Sequence, residues 1–430
     1  MSATARPDRF HTALAFTLLL CAHSASAGYG LTQASFGVES VGMAGADLAT
    51  TDNSVAVNIN PAGLSQVANR QFEIFVNPYY SMRSGHSDGY GNDQHRLDNP
   101  VGGTLALSYA HRLSPTLVLG SGLFVQGGSG FEYEELETAF GTRDEINVSL
   151  GIVKLATGAG WQLNEKLSVG ATLGLHVATL RQQLFPNTSD AAAGFFGARY
   201  DGGRDFAPNI KLGLQYRPVP SLTLAAAYSS LTDFDIGHGT LTVNYESLGL
   251  GRVTYRDATM DGLALAQDFG LSAAWQATPR LRLALELSWL DWSKAMRQTR
   301  LQARNPDTAG LPAALESLDV RTPLDWRDQY AVALGVEWKH DDRTTLRAGF
   351  DRVSRATPRS TLSPLLNLIQ GEEITAAITR RLDSGLDLGL ALQYQFLQHL
   401  QYSNPSLPFG DQAREDYEVL AVVLALSRRW

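Results

Sequence analysis

Phe131, Tyr133, Leu136 and Phe140 lie in one acidic stretch, and Phe185, Phe195, Phe196 and Tyr200 lie in a second polar one. Aromatic side chains set in polar segments can gather an apolar molecule from water, or they can pack on one another as a lid. A second group is Gly127, Gly128 and Gly130, which interrupt the outer half of an alternating run, Thr116–Gly130. Glycines inside a strand weaken its pairing and allow a bulge or bend; at a strand end they open a loop. The residues alone support either. Bond-making chemistry is not nominated. The histidines beyond residue 27 (His86, His95, His111, His176, His238, His340 and His399) are scattered, and there is no H-E-x-x-H, phosphate loop or G-x-S-x-G. Glu132, Glu134, Glu135 and Glu137 read as a solvated face rather than a metal site. No catalytic residue, metal or cofactor is expected.

The elements that must position these groups are strands. Leu281–Ser288 sets four leucines against Arg282, Ala284 and Glu286, and Ser384–Phe396 sets Leu386, Leu388, Leu390, Leu392, Tyr394 and Phe396 against small and polar residues. This period of two marks strands with one apolar face. Six short turns, near 113–115, 164–165, 217–220, 278–280, 340–342 and 382–385, alternate with seven long polar stretches. The alternation predicts fourteen strands between Gln71 and Trp430. Short turns at one end, long loops at the other and an even strand number describe an all-β, membrane-spanning antiparallel outer-membrane barrel. The last strand, Asp416–Trp430, carries Leu420, Val422, Leu424, Leu426 and the terminal Trp430 on one face. That suits a signal read by barrel-assembly machinery.

Composition agrees. Of 430 residues only 18% are charged, below the roughly 25% of soluble domains. A net charge of -8 gives no footprint for nucleic acid. Arg6 and Arg9, the apolar run Ala13–Ala22 and the sequence Ala25-Ser26-Ala27 form a cleavable leader over residues 1–27, and a mature chain begins near Gly28. Cleavage removes Cys21, the one cysteine, so no disulfide framework is expected. No later apolar run is long enough for a spanning helix. The expected place is the bacterial outer membrane. Residues 28–69 are rich in small and polar residues and precede the first strand. They read as a hatch inside the lumen of a barrel formed by residues 70–430, because fourteen strands enclose more space than wall side chains fill.

The hatch segment contains Ser40-Val41-Gly42-Met43-Ala44-Gly45-Ala46, then Asp52-Asn53-Ser54, then Asn60-Pro61-Ala62-Gly63 closing a motif that starts at Val55. It resembles the hatch of the FadL family of outer-membrane transporters for long-chain fatty acids and other hydrophobic compounds. A second block is similar in order and spacing: Leu290-Asp291-Trp292-Ser293, Trp326-Arg327-Asp328-Gln329-Tyr330, and Leu346-Arg347-Ala348-Gly349. The resemblance implies passive uptake, with capture by extracellular loops, binding in the lumen and lateral exit near a kink in the third strand at Gly127 and Gly128. It implies basic lumen residues for a carboxylate at Arg181 and Arg327, and apolar contacts from Phe131, Phe195 and Phe196. The expected partners are a long-chain fatty acid or another apolar small molecule, outer-membrane lipid, and the assembly machinery; a monomer is expected. An aromatic-hydrocarbon importer of the same family and a general diffusion pore are the competing readings. Ala421, Val423 and Ala425, opposite the leucine face, argue against a polar open pore.

Overall fold

The computed structural model describes residues 28–366, 371–410 and 412–430. The leader expected at 1–27 lies outside them. Fourteen antiparallel strands close a barrel. They are β1 (Arg70–Ser81), β2 (Val101–Arg112), β3 (Leu117–Glu137), β4 (Arg143–Gln162), β5 (Leu167–Asp190), β6 (Phe195–Val219), β7 (Leu222–Ser229), β8 (Asp268–Thr278), β9 (Leu281–Leu290), β10 (Gln329–Lys339), β11 (Thr344–Val353), β12 (Glu372–Arg381), β13 (Leu386–Tyr402) and β14 (Ala413–Arg429). Each pairs with the next, and β14 returns to β1 from Gln71↔Arg429 to Ser81↔Val419. The fourteen-stranded barrel expected from the turn spacing is the one observed.

Strand β10 shows why the wall suits a bilayer. Tyr330, Val332, Leu334, Val336 and Trp338 are exposed on the outside, while Gln329, Ala331, Ala333 and Glu337 are buried on the lumen side. Eight residues separate the two outer aromatics, about 26 Å along the strand at ~3.3 Å each. That matches an apolar band flanked by aromatic girdles. Trp161, Trp275 and Trp430 are likewise exposed near the short-turn end.

Several stretches expected as loops are strands. β3 to β6 run 21, 20, 24 and 25 residues, about twice what a bilayer crossing needs. Four more strands, Thr232–Tyr245, Gly251–Leu265, Gln298–Pro306 and Leu318–Pro323, extend the sheet above β7 to β10. Beyond the membrane only the inward face must be apolar. Phe234, Ile236, Leu241 and Val243 are buried while Asp233 and Asp235 face water, so the composition reads as polar although the backbone is extended.

The hatch occupies the lumen. It contains a short helix, α1 (Gly37–Gly42), and 3-10 turns at Ser54–Val57 and Pro61–Gln66. Val38, Val41, Met43, Val55, Val57 and Leu64 pack against small wall residues such as Ala106, Ala156, Ala333 and Ala377. Small inward side chains leave the room that the hatch fills.

Candidate functional site: the hatch, the strand 3 kink and the lumen cavity

The Asn60-Pro61-Ala62-Gly63 motif is seated on three glycines. Gly160, Gly170 and Gly213 stand side by side across β4, β5 and β6. A Cβ on Gly170 would come within 2.3 Å of the Pro61 carbonyl carbon, and one on Gly213 within 2.0 Å of Asn60 Oδ1. The turn therefore lies directly on bare backbone. Asn60 accepts from the Ala62 N–H at 3.2 Å and donates through Nδ2 to Leu48 O at 2.8 Å and Leu214 O at 3.2 Å. One side chain thus caps its own turn and ties hatch to wall. Nearby, the Gln215 amide donates to Leu48 O and Thr51 O, and Glu286 accepts from the Asp47 and Leu48 N–H groups.

The glycines of β3 sit at a break in its register. The register slips between Val125 and Gly127, and Gly128 has φ +140°, a conformation glycine tolerates and a side chain does not. The β2–β3 ladder runs from Arg112↔Val118 to Ala106↔Phe124 and stops there. Above it, β2 stays with β1 and β3 stays with β4. No ladder pairing therefore joins Val101–Leu105 to Val125–Ser129. The start of the hatch seals this gap: Gln33 donates to Gln126 O at 2.9 Å, Gly128 donates to Leu31 O at 3.0 Å, and Thr32 bridges Gly127. A Cβ on Gly127 would lie 1.9 Å from Leu31 O. Leu31 is buried, and the Trp292 indole covers Gly30.

Behind the seal lies a lumen cavity of about 80 Å³ whose walls include Thr32, Gln33, Phe36, Ile59, Gln126, Lys154, His176 and Lys211. Lys154 sits one position below Val148, Leu150 and Ile152 on the lumen face of β4 and is 2% exposed. Its stem crosses Gly174, whose Cβ would meet Lys154 Cε at 2.6 Å. Among the described residues no carboxylate forms an ion pair with it. Sequence reasoning missed this residue. The available signal was a lysine on an otherwise apolar inward face. Toward the short-turn end the lumen opens into a cavity of about 550 Å³ with a different character. There Glu39 of α1, Arg347, Glu337 and Arg282 form a chain of ion pairs at 3.3, 2.9 and 2.9 Å.

The residues expected to bind substrate fall in different places. Arg181 does not enter the lumen. It follows the outward series Leu173, Leu175, Val177 and Thr179, is half exposed, and pairs with Asp201 at 2.6 Å. Alternation decides this: Ala178 and Leu180 take the inward face. Arg327 lies exposed on the outer rim beside Arg355 and Arg359, donating its N–H to Ala356 O. Phe131 is buried edge-on against Tyr417, Phe195 stacks on Phe140 with centroids 4.5 Å apart, and Phe196 meets Tyr245 at 5.0 Å. These aromatics pack in pairs in the outer part of the barrel. His86 belongs to an outer hairpin above the membrane in the same region. It binds Glu415 at 2.6 Å and Asp88 at 3.2 Å, and lies edge-on to Phe409. Tyr133 and Tyr402 also donate to Glu415. Burial pushes the His86 imidazole down, but the two carboxylates overcome it and hold the ring up at about 9. No group of side chains among the described residues is arranged to hold a metal ion.

The sequence matches the family described as outer membrane protein transport protein (OMPP1/FadL/TodX) over residues 18–430. No curated protein sequence matches it. Among solved structures it is similar to the Ralstonia pickettii toluene transporter TbuX, with 19% identity, 92% of this chain and 99% of that one covered, and a TM-score of 0.73. It is similar to the Pseudomonas putida toluene transporter TodX, with 18% identity, coverage of 92% and 99% and a TM-score of 0.74. A Pseudomonas aeruginosa FadL homologue gives 16% identity, coverage of 93% and 98% and a TM-score of 0.70. At these identities the structural likeness speaks for the fold, and the match over nearly the whole sequence speaks for the family. The chain belongs to the OMPP1/FadL/TodX family of outer-membrane transport proteins, channels for apolar small molecules.

Proposed function

We propose that this channel takes up long-chain fatty acids, with Lys154 receiving the carboxylate and the acyl chain leaving sideways between β2 and β3. The observation that carries this reading is the buried Lys154 amine, which forms no ion pair among the described residues and borders the cavity behind the seal together with Lys211 and Asp268. A buried ammonium without a counter-ion is costly, and a substrate carboxylate relieves that cost. The sideways route is favoured by what lies below. An acyl chain moving down the axis meets the hatch and then the Glu39–Arg347–Glu337–Arg282 network. At the kink it meets only Leu31–Gln33, held by two backbone hydrogen bonds. Arg181 and Arg327 have no part in this path.

Purified protein tests the assignment. Lys154→Met should weaken oleate binding about tenfold to a hundredfold, the worth of a hydrogen bond to a charged group, and leave toluene binding unchanged. Equal oleate affinity in the two proteins contradicts the role of Lys154. The small cavity favours a second reading, uptake of a neutral monoaromatic ring, which fits with less movement of the hatch. Binding of toluene without oleate supports that reading instead. Export is by cleavage of the leader, insertion is through assembly machinery reading the strand that ends at Trp430, and the closed barrel works as a monomer.

A further inference from the structure

Asp351 on β11 and Glu373 on β12 stand directly opposite each other in the ladder. Both face the lumen and are only 3% and 8% exposed. Like charges directly opposite across a ladder destabilise it, and a buried carboxylate needs a cation or a full set of donors. Glu373 accepts a hydrogen bond from Gln393 Nε2 at 2.7 Å. Among the described residues Asp351 Oδ1 has no hydrogen-bond partner. The nearby arginines are engaged elsewhere, Arg352 with Glu372 and Arg347 with Glu39 and Glu337. Among the described residues neither carboxylate has an ion pair.

Gly28 reaches the Glu373 side of this pair. Gly28 and Glu373 line one cavity of about 10 Å³, together with Gln393 and Gln395. That is about the space of a single water molecule, and an ammonium group is of similar size. Gly28 is held there by the chain that follows. Tyr29 and Thr32 exchange backbone hydrogen bonds of 3.1 and 3.2 Å, and Gly30, at φ +66°, turns beneath Trp292. Ala25-Ser26-Ala27 immediately precedes Gly28.

We propose that Asp351 and Glu373 are the binding site for the α-ammonium of Gly28, generated when a signal peptidase hydrolyses the Ala27–Gly28 bond. In that step water adds its hydroxyl to the Ala27 carbonyl, the C–N bond breaks, and the nitrogen leaves with Gly28 and takes up protons. Before cleavage the nitrogen is a neutral amide with a single N–H. Afterwards it carries three donors and a positive charge, enough to serve two carboxylates. The hatch is completed only in the processed chain. Leu31–Gln33, which seal the gap beside β3, begin three residues further on, so the new ammonium anchors the free end of the seal.

The test uses full-length protein recovered from outer membranes in detergent. Its first residue is read by mass spectrometry. Its α-amine is then labelled by reductive dimethylation near neutral pH, and only the N-terminal peptide is scored. The expected result is a chain beginning at Gly28 whose amine reacts at least about tenfold more slowly folded than unfolded, since each unit added to an amine's pKa removes nine-tenths of its reactive form. Asp351→Asn with Glu373→Gln should abolish that protection, and each single substitution should reduce it. Heat-dependent gel mobility confirms that each variant is folded, and the folded-against-unfolded comparison in the unaltered protein stands without any variant. A different first residue overturns the proposal. So does equal reactivity folded and unfolded, and so does protection that survives in a folded double variant, which assigns it to burial alone.

Discussion

Gly127→Ala should dislodge the seal from the kink. The added Cβ would lie 1.9 Å from Leu31 O and 3.1 Å from Thr32 Cα. Both are backbone atoms, so no rotamer change relieves the clash. Moving Leu31–Gln33 away breaks the Gln33 N–H to Gln126 O and Gly128 N–H to Leu31 O bonds. At about 0.5–1.5 kcal/mol each, the sealed form loses about 1–3 kcal/mol. The unsealed population should therefore rise about fivefold to over a hundredfold. The assay is maleimide labelling of Thr32→Cys in a Cys21→Ser background, which leaves a single thiol. Labelling should be at least fivefold faster with Gly127→Ala, and unchanged with Gly89→Ala, where an added Cβ meets nothing within 4 Å. Equal labelling with and without Gly127→Ala, both proteins being folded, refutes the view that this contact holds the gap shut.

Three further outcomes follow from the geometry. Gly170→Leu should force the hatch motif off the wall, because the Pro61 backbone occupies the space of its side chain; overpacking of this kind costs about 1–3 kcal/mol and should appear as a lower unfolding temperature. Arg181→Leu with Arg327→Leu should leave oleate affinity within about twofold of the unaltered protein, since Arg181 is on the outward face of β5 and Arg327 is exposed on the outer rim; a tenfold loss by equilibrium binding contradicts that placement. His86 makes its outer hairpin pH-sensitive. Its folded pKa is raised from 6.5 to about 9, so the linked stability is fully present below pH 6.5 and is lost as pH rises through 9. At 1.36 kcal/mol per unit the linkage is about 3 kcal/mol. Proteolysis of that hairpin should accelerate between pH 7 and pH 10, and His86→Leu should flatten that profile.

What the sequence made legible was set by period and punctuation. The leucine alternation in Leu281–Ser288 and Ser384–Phe396 is imposed by lipid on one face, and it located β9 and β13 directly. The short turns fixed the strand number. Residues 236–266 were not legible as strands, because above the membrane the outward face becomes polar and the stretch reads as a loop. The hatch motif was visible, but its seat was not: Gly160, Gly170 and Gly213 lie on three strands and align only through register. The resemblance nominated cations that register places elsewhere. In a strand each step of one residue changes the face. Arg181 was expected in the lumen and lies outside, while Lys154, on the inward face of β4, passed unremarked. The kink glycines stood between two readings, and the partner that distinguishes them, Leu31–Gln33, is nearly a hundred residues away.

The central claim is most directly tested by uptake of radiolabelled oleate, beside toluene, in cells that lack their own transporter and express this chain or its Lys154→Met variant. Oleate uptake should exceed the empty-vector level, be lost with Lys154→Met and be insensitive to Arg181→Leu and Arg327→Leu. Toluene uptake alone, or oleate uptake that ignores Lys154, contradicts it.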